Sequence, residues 1–214
     1  MNISITGTLG SGKSSVCKIL KENGYDIISN GVLFREIAEE KGITVVELNE
    51  LAKKDKSIDD MLDERSIRLG KELDSTIFDS RMGWHFIPDS FKVFLLADMT
   101  EAGRRVFNDN RVSESYNDPA TAKADLIKRQ LMEKKRFSDL YQTDYLNLNN
   151  YDLVIESTYA TPDQIAEQIL KGVEEKVKSQ AKLNPKSLYP AEEAKDEGEI
   201  LVTPIHNKFI LVSG

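Results

Sequence analysis

A glycine-rich segment near the amino terminus constrains the fold of this 214-residue chain more than any other feature. Residues 7–14, Gly-Thr-Leu-Gly-Ser-Gly-Lys-Ser, match the pattern G-x-x-x-x-G-K-[ST] at every fixed position. Residues 2–6 before the segment alternate polar residues with isoleucine and are typical of a short strand, while an apolar stripe in residues 13–23 after it indicates a helix. Strand, loop and helix in this order predict a loop that wraps a polyphosphate with its backbone N–H groups.

The residue types in the loop suit the phosphates of a nucleoside triphosphate. Lys13 can neutralise charge between the β- and γ-phosphates, and Ser14 offers a hydroxyl to Mg²⁺. A glycine-rich turn in an unrelated fold is the alternative, which the flanking strand and helix disfavour. The residues predicted to bind ATP are Gly7, Thr8, Leu9, Gly10, Ser11, Gly12, Lys13, Ser14 and Ser15.

Strand and helix patterns alternate along the rest of the chain. Further strands are predicted near residues 25–29, 75–79, 91–97 and 151–156, with helical patterns between them. This alternation predicts an α/β fold of three layers, in which helices cover both faces of a five-stranded parallel sheet. The expected domain covers residues 1–177, with a helical insert at about 30–74 and a short lid at about 105–120.

The carboxyl-terminal part of the chain has a different composition. Residues 178–198 are polar, contain two prolines and read as a linker. Residues 199–214 resemble two short strands around His206-Asn207, which predicts an extra β-hairpin. Because two strands alone are barely stable in water, we expect the hairpin to dock on the body of the protein or on a second copy, which makes a homodimer possible.

Charge and cysteine content exclude several classes of protein. Lys and Arg number 29 against 36 Asp and Glu, a formal net charge of −7, which disfavours binding to nucleic acid. Cys17 is the single cysteine and the histidines number two, which excludes an internal disulfide and the usual zinc signatures. No apolar run is long enough to cross a bilayer. We therefore expect a cytoplasmic protein whose partners are small-molecule nucleotides.

The type of phosphate-binding protein follows from what surrounds the loop. No guanine-reading motif of the Asn-Lys-x-Asp type occurs at a suitable place, and the chain is too short for a large ATPase. A helical insert after the second strand and a basic segment after the fourth favour a small kinase. The insert would hold the phosphoryl acceptor, and the basic segment would close over the donor.

Four further segments carry a resemblance to the cytidylate kinases, especially to their short archaeal-type branch. Residues 29–35, Ser-Asn-Gly-Val-Leu-Phe-Arg, resemble the S-x-G-x-x-F-R element, and residues 79–84 are similar to the acidic-Gly-Arg-x-x-Gly-Trp turn. Residues 129–137 resemble the R-x-x-x-[ED]-x-x-R-[YF] helix, and residues 151–155 resemble the final strand. The resemblance covers residues 1 to about 175 in order.

This resemblance implies transfer of the γ-phosphoryl group of ATP to CMP or dCMP with Mg²⁺. It implies that Arg35 and Arg81 hold the acceptor's phosphate by fork-like hydrogen bonds, which suit arginine better than lysine. Ser29 and Gly31 would flank the acceptor pocket. Asp79, at the carboxyl end of a strand near the loop, would hold Mg²⁺ through water together with Ser14.

Base recognition and the lid involve arginines on two later helices. Arg129, Glu133 and Arg136 are spaced to share one helical face, and the resemblance implies that this face binds the cytosine edge and the phosphates. A solvated face with i,i+4 ion pairs is the ordinary alternative. Arg104 is expected to be the lid arginine. Arg111 would share its helical face if the helix continues, and Arg105 is expected to point away from both. The predicted catalytic residues are Lys13, Arg104 and Arg129.

Two departures from the family pattern keep other functions open. Ser80 stands where the family usually has glycine, and it would strain the turn if that glycine needs a positive φ. Residues 156–158, Glu-Ser-Thr, also differ from the common end of the last strand. The alternatives are a kinase for another nucleoside monophosphate or a small metabolite, and a nucleotide-binding regulator without transfer activity.

Overall fold

The computed structural model describes residues 1–109, 116–183 and 208–211, in which strands and helices alternate. The strands are β1 (Ile3–Gly7), β2 (Asp26–Ser29), β3 (Thr76–Asp79), β4 (Phe91–Leu96), β5 (Leu153–Glu156) and β6 (Lys208–Leu211). The helices are α1 (Lys13–Glu22), α2 (Asn30–Glu40), α3 (Val45–Ala52), α4 (Ser57–Glu72), α5 (Gly83–Phe86), α6 (Met99–Asn108), α7 (Pro119–Tyr141) and α8 (Pro162–Leu183). A short 3₁₀ turn at Leu148–Asn150 precedes β5.

The sheet is parallel throughout and has the order β2-β3-β1-β4-β5-β6. The predicted three-layer α/β fold with five parallel core strands is therefore confirmed. The register pairs Ser29 with Asp79 and Ile5 with Asp79, so the ends of three neighbouring strands meet at one edge. In such sheets, ligands bind outside the carboxyl ends of the strands.

Apolar packing on the two faces of the sheet holds this edge in place. On one face, α1 and α8 bury residues such as Val16, Leu20 and Ile169 against β1 and β4. On the other face, an aromatic cluster that includes Trp84 and Tyr151 covers Phe94. Strands buried on both faces are often nearly all apolar, which is the pattern of β4. β1 is also buried along its whole length, but it alternates isoleucine with Ser4 and Thr6.

The predicted helical insert corresponds to α2, α3 and α4. Its own small core contains Ile37, Leu48 and Ile58, all fully buried. Helix α3 begins with a capping box, in which Thr44 and Glu47 each accept a hydrogen bond from the other's backbone N–H. The insert therefore folds as a compact helical unit on the β2–β3 side of the sheet.

The tail extends the sheet at its β5 edge. Helix α8 continues to Leu183 and so overlaps the start of the predicted linker at 178–198. Lys208–Leu211 forms β6 and pairs in parallel with β5 of the same chain. The first strand of the predicted hairpin lies outside the described residues, and so does the centre of the predicted lid at 110–115. Because β6 is accommodated within its own chain, nothing supports dimerisation through the tail.

Within residues 1–109, 116–183 and 208–211, no helix is both long enough and apolar enough to cross a bilayer.

Candidate nucleotide-binding site

The phosphate-binding loop connects β1 to α1 in a conformation that its glycines make possible. Gly10 and Gly12 have φ angles of 76° and 85°, a region that residues with a side chain seldom adopt. A Cβ on Gly10 would also lie 2.8 Å from the Cβ of Ala102, because α6 packs directly against the loop. The positive φ angles of the two glycines and the close approach of α6 therefore fix the conformation of the loop.

Two polar side chains of the loop, those of Ser11 and Lys13, are wholly or partly shielded from water. The Ser11 hydroxyl is buried and has no hydrogen-bond partner among the described residues. Burial and the neighbouring Arg81 guanidinium lower the pKa of Lys13 to about 8, while Asp79 and Glu133 act in the opposite direction. An unpaired donor beside a partly buried ammonium group fits a polyanion such as a triphosphate.

Arg81 connects the loop to helix α7. Its Nη1 donates a hydrogen bond to the Gly7 carbonyl at 2.9 Å, and its Nε donates to Oε2 of Glu133 at 2.8 Å. The Tyr145 hydroxyl lies 3.5 Å from the same carboxylate oxygen. The structure therefore brings two predicted acceptor-binding residues, Arg81 and Glu133, to the edge of the phosphate-binding loop.

The other two residues of the predicted α7 face have different surroundings. Arg136 donates from Nη2 to Oδ1 of Asp59 at 2.5 Å, so it pairs with helix α4 of the insert. Asp59 is largely buried and Arg136 is half exposed. Arg129 is partly buried on the same helix. The three residues thus lie along one side of α7, but Glu133 contacts the loop side and Arg136 contacts the insert.

The acceptor-side residues from the second strand lie together at the start of α2. Ser29 is the N-cap of this helix, and its Oγ accepts a hydrogen bond from the Val32 N–H at 3.3 Å. A Cβ on Gly31 would lie 3.7 Å from Nη1 of Arg35 and 3.8 Å from the Ser29 Oγ. Arg35 is exposed. These residues lie at the sheet edge beside Asp79, the partner of Ser29 in the strand register.

Ser80 does not strain its turn, because the condition for that strain, a positive φ at this position, is not met. Among the described non-glycine residues, only Ser75 and Gln142 have a positive φ, so a serine at position 80 needs no special conformation. The Ser80 side chain accepts a hydrogen bond from the Met82 N–H at 3.2 Å, and its carbonyl accepts one from the Thr6 hydroxyl at 2.8 Å. Serine therefore stabilises the turn that leads to Arg81.

Helix α6 presents two arginines to a cleft of about 640 Å³ above the loop. Both Arg104 and Arg105 line this cleft and bind Glu101, so the expectation that Arg105 points away from Arg104 is wrong. Arg111 lies outside the described residues. Arg105 donates from Nη2 to the carbonyls of Ser157 and Thr158 at 2.8 and 2.7 Å. Arg104 is exposed and binds Glu101 through Nε and Nη2, at 2.7 Å each.

The sequence patterns did not identify two residues that contact the cleft arginines or the phosphate-binding loop. Glu101 binds both α6 arginines, and its i,i+3 and i,i+4 spacing to them is a helical signal that could have identified it. Ser157 is fully buried, and its hydroxyl lies 2.9 Å from the carbonyl of Ser11 in the loop. No local pattern predicts that contact, because the two residues are 146 positions apart.

Comparison with known proteins identifies one family over most of the chain. Residues 2–159 match the family model described as the cytidylate kinase-like family. A cytidylate kinase of Sulfolobus acidocaldarius is 35% identical over 174 residues, which are 79% of this chain and 92% of that protein. A cytidylate kinase of Halobacterium salinarum is 32% identical over 210 residues, 97% of each chain.

A solved structure shares the fold at much lower sequence identity. The shikimate kinase of Bacteroides thetaiotaomicron superposes with a TM-score of 0.55, covering 83% of this chain and 98% of that one, at 14% identity. This likeness concerns the arrangement of the sheet and helices around the phosphate-binding loop.

Proposed function

The chain belongs to the cytidylate kinase-like family, and we therefore propose that it transfers the γ-phosphoryl group of ATP to CMP or dCMP, forming ADP and CDP or dCDP. The observation that carries this proposal is the bridge from Gly7 through Arg81 to Glu133. It joins the loop that would hold the donor to the helix that would read the acceptor, so both substrates would meet at one edge of the sheet.

The donor would bind along the phosphate-binding loop. The backbone N–H groups of residues 7–15 and the positive end of α1 would surround its phosphates. Lys13 would neutralise charge on the phosphoryl group in transit, and its partial burial strengthens that interaction. Arg104 lines the same cleft and would add further positive charge near the phosphates.

Mg²⁺ would be held at the junction of β3 and α1. Ser14 is exposed in the first turn of α1, and Asp79 ends β3 close enough to Lys13 to raise its pKa. A hydroxyl and a carboxylate are oxygen ligands of the kind that Mg²⁺ prefers, usually together with water and substrate phosphates. The ion would neutralise charge that develops on the phosphates during transfer.

The acceptor would lie between the insert and α7. Arg81 would hold its phosphate beside the loop, where the Glu133 carboxylate already orients the guanidinium group. Arg35, with Ser29 and Gly31, would line the opposite wall at the start of α2. Arg136 would have to exchange its contact with Asp59 for the acceptor, while Arg129 would provide further charge from α7.

The setting of the reaction follows from the same features. Its proposed partners are free nucleotides rather than macromolecules. The proposed location is the cytoplasm, a reducing compartment in which the buried thiol of Cys17 stays unoxidised.

A coupled assay of ADP release over a panel of acceptors tests this function. With ATP and Mg²⁺, we expect CMP and dCMP to stimulate ADP release far more than UMP, AMP, GMP or shikimate does. Stimulation by a different acceptor would retain the kinase and replace the substrate. If no acceptor stimulated release while ATP still bound, the chain would be a nucleotide-binding regulator and the proposal would be wrong.

A further inference from the structure

Helix α6 carries a carboxylate between its two cleft arginines. Glu101 accepts from Arg104 through both of its oxygens, and its Oε1 also accepts from Nε of Arg105 at 3.0 Å. The spacings i,i+3 and i,i+4 place all three side chains on one side of the helix. The hydrogen bond from Arg104 is the main reason why the pKa of Glu101 lies below its ordinary value, so the carboxylate is charged.

The same network is anchored to the phosphate-binding loop at two points. Arg105 holds the carbonyls of Ser157 and Thr158, and the Ser157 hydroxyl in turn contacts the Ser11 carbonyl. In addition, Ala102, the residue after Glu101, packs against Gly10. Glu101 therefore belongs to a connected frame that fixes α6 relative to the loop.

The geometry of Arg104 leaves it able to bind an anion while Glu101 holds it. Glu101 contacts only the Nε and Nη2 groups of Arg104, whereas a guanidinium group has five N–H donors on three nitrogens. More than half of the Arg104 side chain is exposed, and it borders the cleft above Lys13. Glu101 binds the Nε–Nη2 edge of Arg104 and restricts its rotamers, while the remaining N–H donors of the guanidinium group stay available to an anion.

We propose that Glu101 is a positioning residue that orients Arg104 and Arg105 toward the phosphates of the donor nucleotide. This role rests on the proposed function only in its choice of ATP as donor. A long arginine side chain loses considerable conformational freedom when it is fixed. Because Glu101 fixes both arginines before the donor arrives, part of this entropy loss would already have occurred when ATP binds.

The competing interpretation is that Glu101 sequesters the arginines as an internal anion. The two roles predict opposite effects when the charge is removed in Glu101→Gln. If Glu101 is a positioning residue, its substitution should weaken ATP binding and slow transfer. If Glu101 competes with ATP for the arginines, the substitution should free them and tighten ATP binding. The substitution keeps the size of the side chain, so packing around α6 changes little.

The experiment measures ATP affinity by calorimetry and kcat and KM by ADP release for Glu101→Gln, Arg104→Ala and the double variant. For Glu101→Gln, we expect roughly fivefold weaker ATP binding and roughly tenfold lower kcat/KM for ATP, with KM for CMP within about twofold. In the Arg104→Ala background, Glu101→Gln should lower kcat/KM for ATP by about threefold or less, because most of its effect depends on Arg104.

The matched control is Glu174→Gln, which removes the exposed i,i+4 pair of Glu174 with Lys178 on α8. It should leave all constants unchanged, and melting curves of every variant should verify folding. Equal tenfold losses in both backgrounds, unchanged ATP binding, or tighter ATP binding would each overturn the proposal. If the wild-type chain bound ATP without phosphorylating CMP, the proposed function would fail while the calorimetric comparison still decided the role of Glu101.

Discussion

Lys13 owes its chemistry to the residues that surround it. A lysine in water titrates near 10.4, but here burial and Arg81 bring the pKa to about 8. Nearby carboxylates on Asp79 and Glu133 limit the shift without cancelling it. Bound phosphates would favour the charged form and raise this pKa again, so the strength of nucleotide binding is linked to proton uptake.

We predict that ATP affinity falls as the pH rises above about 8. Below that pH, Lys13 is already protonated in the free protein and binding needs no proton. Above it, binding must include proton uptake, and affinity declines by up to about tenfold per pH unit until the pKa of the bound state is reached. Calorimetry at pH 7 and pH 9 should show dissociation constants that differ about tenfold. In Lys13→Ala, weaker binding with the same pH slope would assign the effect to another group.

In the proposed site, Glu133 has two roles. Its carboxylate holds Arg81 at 2.8 Å, and it also lies on the α7 face that would read the acceptor. Both roles concern the acceptor more than the donor, because the Gly7 carbonyl independently fixes the other side of Arg81.

Replacing Glu133 by Ala should therefore impair acceptor use selectively. We expect kcat/KM for CMP to fall on the order of 10- to 100-fold, which is the consequence of removing one partner of a partly buried charge pair. The dissociation constant of ATP should change by less than about threefold. Lys135→Ala, on the same helix, removes only an exposed contact with Asp139 and should behave as wild type. Unchanged CMP turnover in Glu133→Ala would refute the assignment.

At the level of elements, the close crossing of α6 and α7 controls where the cleft arginines lie. Gly103 is fully surrounded there, since a Cβ at this position would lie 2.8 Å from both the Lys123 Cβ and the Pro119 carbonyl oxygen. The buried faces of the two helices contribute Ala102, Val106 and Leu126 to one small core. A change in the distance between these helices would move Arg104 and Arg105 relative to the loop.

Gly103→Ala should push the two helices apart. Overpacking of this kind costs about 1–3 kcal/mol, or roughly 2–10 °C in melting temperature for a chain of this size. Thermal unfolding followed by circular dichroism measures the change. The control Gly31→Ala introduces the same methyl group at a site with ordinary contacts of 3.7 Å or more and should leave the melting temperature nearly unchanged. Equal melting temperatures for both variants would mean that the crossing is not tightly constrained.

At the scale of the whole molecule, the sheet unites the donor and acceptor sides. Strands β1 and β4 lie at its centre, with the insert attached on the β2–β3 side and the α8 connection leading to β6 on the other. The tail strand covers the edge of β5, which would otherwise present unpaired backbone groups. β6 therefore protects the sheet edge of its own chain.

Truncation after Leu183 should therefore lower stability without changing the oligomeric state. Removal of β6 exposes the edge of β5, and we expect the melting temperature to fall by a few degrees. Sedimentation velocity should give the same number of subunits for the full and shortened chains. An unchanged melting temperature would deprive β6 of its structural role, and a loss of subunits would indicate that the tail joins two copies.

The phosphate-binding loop, the alternation of elements and the caps of several helices could all be predicted from local patterns. Asp118 caps α7 and Pro119 is its first residue, while Thr161 and Gln164 form reciprocal bonds at the start of α8; both are sequence signals of a helix start. Hydrophobic periodicity and turn chemistry involve residues only a few positions apart, so both patterns can be read from a single sequence. A resemblance spread over such elements was enough to indicate the family.

Contacts between distant segments were decided only when the chain folded. Arg81 and Glu133 are 52 positions apart, Asp59 and Arg136 are 77 apart, and nothing in their spacing indicates which carboxylate each arginine binds. The direction of Arg105 depended in the same way on where the loop after β5 lies. Partner choice among charged side chains depends on how helices and strands approach in three dimensions and on which rotamers that approach allows, and periodicity within one element carries no information about either.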